Sequence, residues 1–212
     1  MKKNIAIIGS GFSSLSAACY LAKNGHKVTV FEKNEELGGR ARQFKAKGFT
    51  FDMGPSWYWM PDVFDKFFND FNKSTRDFYE IEKLNPAYRV YFGLDDYIDI
   101  EDSIEKISVK FEKIEKGSGK KLIRFLEKAR ENYGIGVTDM LYKMPGLSPL
   151  ELVSIKTLKK IRYFLSTIRK DVHKDFKNPK LRSVLEFPVL FLGAKASNTP
   201  AFYNFMNYAD FG

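Results

Sequence analysis

A chain of 212 residues that is 44% hydrophobic and 16% aromatic has ample apolar material for a packed core, which excludes a disordered polypeptide. A single cysteine excludes an internal disulfide, and two histidines, His26 and His173, far apart and without a cysteine cluster nearby, offer no zinc site and no catalytic histidine. The net charge of +9 leaves nucleic acid, a membrane surface and an anionic ligand open until its distribution is known, and no apolar run is long enough to span a bilayer.

In chain order, "NIAII" is a short β-branched run bounded by glycine and predicts a strand buried on both faces. From Phe12 to Asn24 the residues are small and helix-compatible, with Leu15, Cys19 and Ala22 on one side and Gly25 closing the helix. "HKVTVFE" is a second strand, so Asn4 to Glu32 reads as a βαβ unit with parallel strands and a right-handed crossover. "GGRAR" follows, then short strands at "RQFKA" and "FTFD" and the aromatic turn "MGPSWYWMP". Val63, Phe64, Phe67, Phe68 and Phe71 have helical spacing between Pro61 and Phe71. "DFYEI", "YRVYFG" and "DYIDI" predict strands of a smaller sheet, and beyond Glu101 come long charged helical stretches interrupted by "KGSGK" and "KMPGLSP".

The opening "KKNIAIIGSGFSSLSAACYLAKNG" admits a signal peptide cleaved at Cys19, or a strand turning into a helix around a dinucleotide. A signal needs an uninterrupted apolar centre, which Gly9, Ser10, Gly11, Ser13, Ser14 and Ser16 break. The dinucleotide reading accounts for each break. Gly9 permits the tight turn out of the strand, Gly11 lets the backbone approach a pyrophosphate, and the helix starting at Phe12 directs its free N–H groups at that pyrophosphate. Ser14 takes the third glycine position and is small enough for close helix–strand packing. Glu32 ends the second strand, where a carboxylate accepts hydrogen bonds from ribose hydroxyls and repels the 2′-phosphate of NADP.

Past Glu32 and Lys33 the chain runs through "FEKNEELGGRAR" into a Gly-Gly-Arg turn. In "GFTFDMGPSWYWMPDVF", Phe51, Asp52, Gly54, Pro55, Ser56 and Pro61 match an F-D-x-G-P pattern followed by a polar residue and a later proline. Together these resemble the flavin-dependent amine oxidase and carotenoid desaturase superfamily, with phytoene desaturases as the nearest pattern; "PAYRVYF" and "LRSVLEFPVLFLGAKASNTPAFYNFMNYADFG" resemble its substrate region. The fold class implied is α/β: a Rossmann-like FAD-binding βαβ start with an appended mixed sheet and helical substrate-region piece, incomplete. Residues 1–60 would bind FAD, and residues 61–212 would form a truncated region facing substrate and membrane. FAD would lie along Gly9, Gly11, Phe12, Ser14, Glu32, Lys33, Gly38, Gly39, Arg40, Gly54, Pro55 and Ser56.

The chemistry implied by the resemblance is hydride transfer from a polyene C–H to flavin N5 while a proton leaves the neighbouring carbon. Trp57, Tyr58 and Trp59 suit either an apolar tunnel for the polyene or plain packing. By the same analogy Glu151 is the candidate catalytic acid or base, against a solvated glutamate at a helix start, and Asp52 reads as structural, bonding the turn around Gly54. No metal site is implied. The pattern is shared by desaturases, carotenoid isomerases and amine oxidases, and a non-catalytic nucleotide-binding or partner-binding fragment stays open beside them.

Six of the nine net charges lie in "SIKTLKKIRYFLSTIRKDVHK", where Lys156, Lys159, Lys160, Arg162, Arg169, Lys170 and Lys174 face a single Asp171. Leu158, Ile161, Leu165, Ile168 and Val172 form one stripe, which predicts a basic amphipathic helix over 154–174, lying either in a membrane interface or on the protein. The aromatics sit elsewhere and no nucleic-acid reading motif is present. The expected location is cytoplasmic, peripheral on the inner membrane face. "YADFG" falls partway through the resembling substrate region, so the expectation is an N-terminal half, left by a frameshift, by a split gene or by the bounds of the sequence; in the split-gene case the missing C-terminal half would be a second chain.

Overall fold

The computed structural model describes residues 1–54, 58–143, 147–148 and 155–212, with Lys156 described by its backbone only. The chain divides into two compact units, Met1–Glu80 and Ile81–Gly212.

In the first unit, β1 (Asn4–Ile8) and β2 (Lys27–Phe31) pair in parallel from Asn4 opposite Lys27 to Ile8 opposite Phe31, joined by α1 (Phe12–Lys23). The helix stops where Gly25, at φ +83°, donates its N–H to the Ala22 carbonyl. Side-chain alternation divides the pair into two faces. Ile5, Ile7, Val28 and Val30 are partly buried on one; Asn4, Ala6, Ile8, Lys27, Thr29 and Phe31 are exposed on the other. The expectation of a strand buried on both faces is therefore not met: Ile8 is 89% and Phe31 57% exposed.

β3 (Gln43–Ala46) and β4 (Phe49–Asp52) form a hairpin around Lys47 and Gly48, both at positive φ. Its register puts Phe44, Ala46, Phe49 and Phe51 on one face, and Gln43, Lys45, Thr50 and Asp52 on the other. Asp52 accepts from Gln43 Nε2 at 3.1 Å, so it ties the hairpin across its strands rather than bonding the turn at Gly54. α2 (Pro61–Asn69) begins on a proline, whose missing N–H costs nothing there. Tyr20 of α1 meets Phe67 and Phe71 with ring centroids 5.9 and 5.1 Å away and donates its hydroxyl to Asp70 at 2.6 Å. This clamp carries the first unit past residue 60 to Glu80, beyond the boundary expected from sequence. "DFYEI" is also not a strand. Ser74 and Asp77 cap a 3-10 turn at Thr75–Asp77 reciprocally, and Phe78 stacks on Phe68 at 4.7 Å, which removes that backbone from any ladder.

The second unit starts with an antiparallel pair, β5 (Tyr88–Tyr91) and β6 (Tyr97–Ile100), separate from the first unit's hairpin, so no single mixed sheet forms among the described residues. α3 (Ile104–Ile114) and α4 (Ser118–Tyr133) fold into a helical hairpin. Glu112 accepts the N–H groups of Gly117 and Gly119 at 2.7 and 3.0 Å, capping the start of α4 with a negative charge. A π-helical stretch, Gly134–Leu141, extends α4. Later helices are α5 (Ile155–Lys159), α6 (Ile161–Leu165), α7 (Ile168–Asp175), α8 (Pro179–Glu186) and α9 (Phe205–Phe211). Phe176 sits edge-on to Phe111 and Phe125 at 6.1 and 6.3 Å, at the heart of a core that includes Ile98, Ile107, Leu122, Ile168, Val172, Leu181 and Leu185.

The expected single helix over 154–174 is three. Ser166 and Thr167 adopt extended backbone, with the Ser166 carbonyl accepting from Ala201 N at 2.9 Å and Ile168 N donating to Thr199 at 3.0 Å. Thr167 then caps α7 through Lys170 N. The break splits the apolar stripe. Ile168 and Val172 are fully buried in the core, whereas Leu158, Ile161 and Leu165 stay exposed.

Asp210 on α9 accepts the Tyr88 hydroxyl at 2.5 Å, and burial pushes its carboxyl up to about 6. The folded value lies above the ordinary 3.8, so this group's contribution to stability is full below about pH 4 and is lost as pH rises through 6. At ~1.4 kcal/mol per unit the loss amounts to about 3 kcal/mol. We expect the unfolding midpoint to fall between pH 4 and 6, and Asp210→Asn to flatten that fall in thermal melts across the range.

Candidate dinucleotide site

The site is built on the turn between β1 and α1. Gly9, at φ +93°, donates its N–H to the Phe31 carbonyl at 2.7 Å, and this left-handed turn is one that a side chain would strain. Gly11 is the N-cap of α1; it has no side chain to cap the helix, and the first turn contains no acidic residue. A Cβ added at Gly9 or Gly11 would meet nothing within 4 Å, so space is open on that side of both glycines, and the first turn of α1 has N–H groups without intrahelical partners. Phe12, the first helical residue, is exposed and lies edge-on to Phe64 at 6.0 Å. Ser14 is partly buried on the same turn.

Two further glycine segments close on this turn. Gly38 N donates to the Ser10 carbonyl at 3.0 Å, and Gly38 and Gly11 form a parallel bridge. A Cβ on Gly39 would lie 3.1 Å from the Gly11 Cα, so only glycine lets the Gly-Gly-Arg turn pack that closely. Gly54, at φ +97°, sits so tightly on Arg40 that a Cβ would come within 2.5 Å of the Arg40 carbonyl. The structure thus brings together Gly9, Gly11, Phe12, Ser14, Gly38, Gly39, Arg40 and Gly54. Lys33 and the Arg40 side chain are exposed. Pro55, Ser56 and Trp57 lie outside the described residues, as does Glu151, so the structure gives no geometry for the expected acid or base.

Glu32 has a second role that its position alone does not reveal. Its Oε2 accepts from both the N–H and the hydroxyl of Ser10, at 2.8 and 2.7 Å; Oε1 accepts from the N–H and side-chain amide of Asn34, at 3.0 and 2.8 Å. The Ser10 hydroxyl first, then the Asn34 and Ser10 N–H groups, hold its carboxyl down to about 2. Four donors use the acceptor capacity of the carboxylate, so a ribose would have to exchange with one of the side-chain donors. Ser10 and Asn34 are the residues that motif reading passed over. Ser10 fills a position that any residue takes in the glycine pattern, and the one signal for Asn34 is an amide two residues after the acid.

Beside the start of α1, Tyr58 packs on Phe64 at 4.6 Å and shares a 2.6 Å hydroxyl contact with Tyr79, while burial pushes its own hydroxyl titration upward. Of the expected aromatic run, Tyr58 thus joins the cluster around Phe12 and Phe64.

Removing the Ser10 hydroxyl should raise the Glu32 titration point, because that bond is the largest cause of its depression. Carboxyl-carbon NMR on Ser10→Ala measures this, and an unchanged value would show that the backbone N–H groups suffice. With the folded value below the ordinary 4.5, the stability this brace contributes is present above pH 4.5 and disappears as pH falls toward 2.

A family model described as an NAD(P)-binding Rossmann-like domain matches residues 7–73. The chain is 37% identical over 211 residues to the carotenoid 3,4-desaturase of Haloarcula japonica, a match covering 99% of this chain and 43% of that protein. It is 34% identical over 205 residues to the 4,4'-diapophytoene desaturase of Staphylococcus aureus, covering 94% and 40% respectively. Among solved structures, putrescine oxidase bound to putrescine superposes with a TM-score of 0.56 at 18% identity, over 97% of this chain and 41% of that one. The CLA-producing fatty acid isomerase from P. acnes gives 0.53 at 18% identity, over 98% and 42%. At such identity these two structures speak for the fold alone. The chain spans between 40% and 43% of the length of these curated relatives. The chain is therefore similar in sequence to carotenoid desaturases over nearly its whole length, and in fold to putrescine oxidase and the fatty acid isomerase.

Proposed function

We propose that the chain is the dinucleotide-binding portion of a carotenoid desaturase-like flavoenzyme, with FAD as its cofactor and a lipophilic polyene as the substrate. The observation that carries the reading is the convergence of three glycine segments at the start of α1. There the helix offers N–H groups to a pyrophosphate, and Gly39 and Gly54 let the following turns pack closely against it. Gly9, Gly11, the first turn of α1, Glu32 and Gly38–Arg40 would hold the cofactor; bound flavin would supply the hydride acceptor for a C–H bond. The glycines keep side chains out of its path, and Glu32 offers acceptors to a ribose while repelling a 2′-phosphate.

The Haloarcula and Staphylococcus relatives, desaturases of carotenoids by name, favour a polyene over an amine. The exposed face of the β1–β2 pair, with Ile8 and Phe31 bare, supports completion of the unit by further polypeptide, because parallel strands are stable when both faces are covered. Peripheral contact with a membrane is part of the reading. We assign that contact to α5 and α6 rather than to the whole of 154–174, a choice supported by Ile155 and Leu165 being 75% and 80% exposed beside Lys159 and Arg162. Lys160 is less available, because it pairs with Glu131 of α4 at 2.6 Å. No helix of the described residues is long and apolar enough to cross a membrane.

Calorimetry should show FAD binding more tightly than NADP, with Glu32→Ala weakening FAD; tighter NADP would overturn the cofactor assignment. Ile161→Ser with Leu165→Ser should release the chain from anionic vesicles in sedimentation, whereas Ile168 substitutions should act on folding instead. The purified chain by itself should leave phytoene unconverted in liposomes, since a displacement of about 1 Å in the reacting geometry costs about a hundredfold in rate. Formation of conjugated product would show that no further polypeptide is needed.

A further inference from the structure

The segment Phe187–Leu192 is a 3-10 turn that buries Pro188 and Val189 but leaves Leu190 and Leu192 at 63% and 42% exposure. Gly193, left-handed at φ +66°, ends the turn by donating to the Leu190 carbonyl at 2.8 Å and so fixes the tip. Beside the tip runs an open groove of about 350 Å3, with Arg169, Ser183, Glu186, Phe187, Leu190 and Lys195 in its lining. Its far wall is anchored, since Arg169 N donates to the Ala196 carbonyl at 3.1 Å.

The charge in the groove is predominantly positive. Glu186 accepts from Arg169 at 3.0 and 3.3 Å and contacts His173 Nε2 at 2.8 Å, so this one carboxylate is shared between two basic side chains. The pair leaves other guanidinium N–H donors of Arg169 for a second acceptor. Lys195 is exposed and forms no salt bridge among the described residues. Ser183 and Ser197 already donate, to the Pro179 carbonyl and to Asn198, so the cations remain as the donors for an incoming anion.

We propose that this groove is a headgroup site for an anionic phospholipid, with the phosphate on Lys195 and Arg169 and with Leu190 and Leu192 entering the acyl layer. A bare apolar tip flanked by cations is the arrangement of a segment that sits at a bilayer interface, where long basic side chains reach back to the phosphates. A polypeptide partner would satisfy the leucines but give Lys195 no reason to remain unpaired at the rim. The site rests on the reading of the protein as membrane-peripheral, but no residue of α5 or α6 lines its groove.

The test is sedimentation with vesicles of phosphatidylcholine alone and of phosphatidylcholine with phosphatidylglycerol, on the full chain and on Leu190→Ser/Leu192→Ser, Lys195→Glu and Ile161→Ser/Leu165→Ser. All the substituted side chains are exposed, and circular dichroism checks that each variant is folded. The expected result is that Lys195→Glu weakens partition into anionic vesicles by about fivefold or more, the scale for one basic residue near such a surface, with little change on neutral ones. The double leucine variant should weaken partition into both. Wild-type partition by both groove variants, with loss confined to Ile161→Ser/Leu165→Ser, would overturn this site and leave the α5–α6 contact standing. Binding of glycerol 3-phosphate that Lys195→Glu abolishes, without an effect on vesicles, would make it a small-anion site and overturn the lipid assignment. No partition by the wild-type chain would overturn both contacts.

Discussion

The Glu32 carboxylate is the interaction on which the candidate site depends. It stands at the end of β2 and reaches across to the N–H and hydroxyl of Ser10, which sits between the two glycines of the turn. That bridge sets the turn relative to the second strand; the Ser10 carbonyl then receives Gly38, and Gly39 packs on Gly11. A group that binds protein donors on both oxygens is a support before it is a ligand for anything else. The physical consequence is that any ligand group exchanging with those donors would be coupled to the geometry of the turn through one side chain.

The two units differ in how much of their apolar surface they cover themselves. Among its described residues the first unit buries Ser10 and Thr75 but no apolar side chain fully, although its helices are clamped by the Tyr20, Phe67 and Phe71 rings. The second unit has a closed core around Phe176, to which β6, α3, α4, α7 and α8 all contribute. Since apolar burial supplies most of the driving force for folding, the second unit carries its own stability to an extent the first does not. The open sheet face and the apolar face of the β3–β4 hairpin belong to that same deficit.

In the basic segment the division of labour follows from one backbone break. At the extended Ser166–Thr167 break the Ser166 carbonyl accepts from Ala201 N and Ile168 N donates to the Thr199 carbonyl, which turns α7 inward to place Ile168 and Val172 in the core. α5 and α6 keep their apolar residues outside. One stripe in the sequence therefore becomes an anchor and a surface. A second exposed apolar feature, the tip at Leu190 and Leu192, lies in the same unit with its own cations.

The sequence by itself determined the βαβ start, the strand segments that pair into the two hairpins and the glycine positions, because each depends on contacts between near neighbours: a period of two in the strands, small residues at a tight turn, proline and glycine at element ends. It also pointed to Gly38, Gly39 and Gly54 as members of the site with Gly9 and Gly11, through their pattern. Tertiary structure alone decided what lies against what. Ser10 and Asn34 claim Glu32 because β2 returns beside β1, the 154–174 helix breaks because residues 199–201 compete for its backbone, and "DFYEI" turns because Ser74 and Asp77 cap each other while Phe78 finds Phe68. Periodicity carries no information about which distant group will take a hydrogen bond first, and at each of these places the long-range partner overrode the local preference.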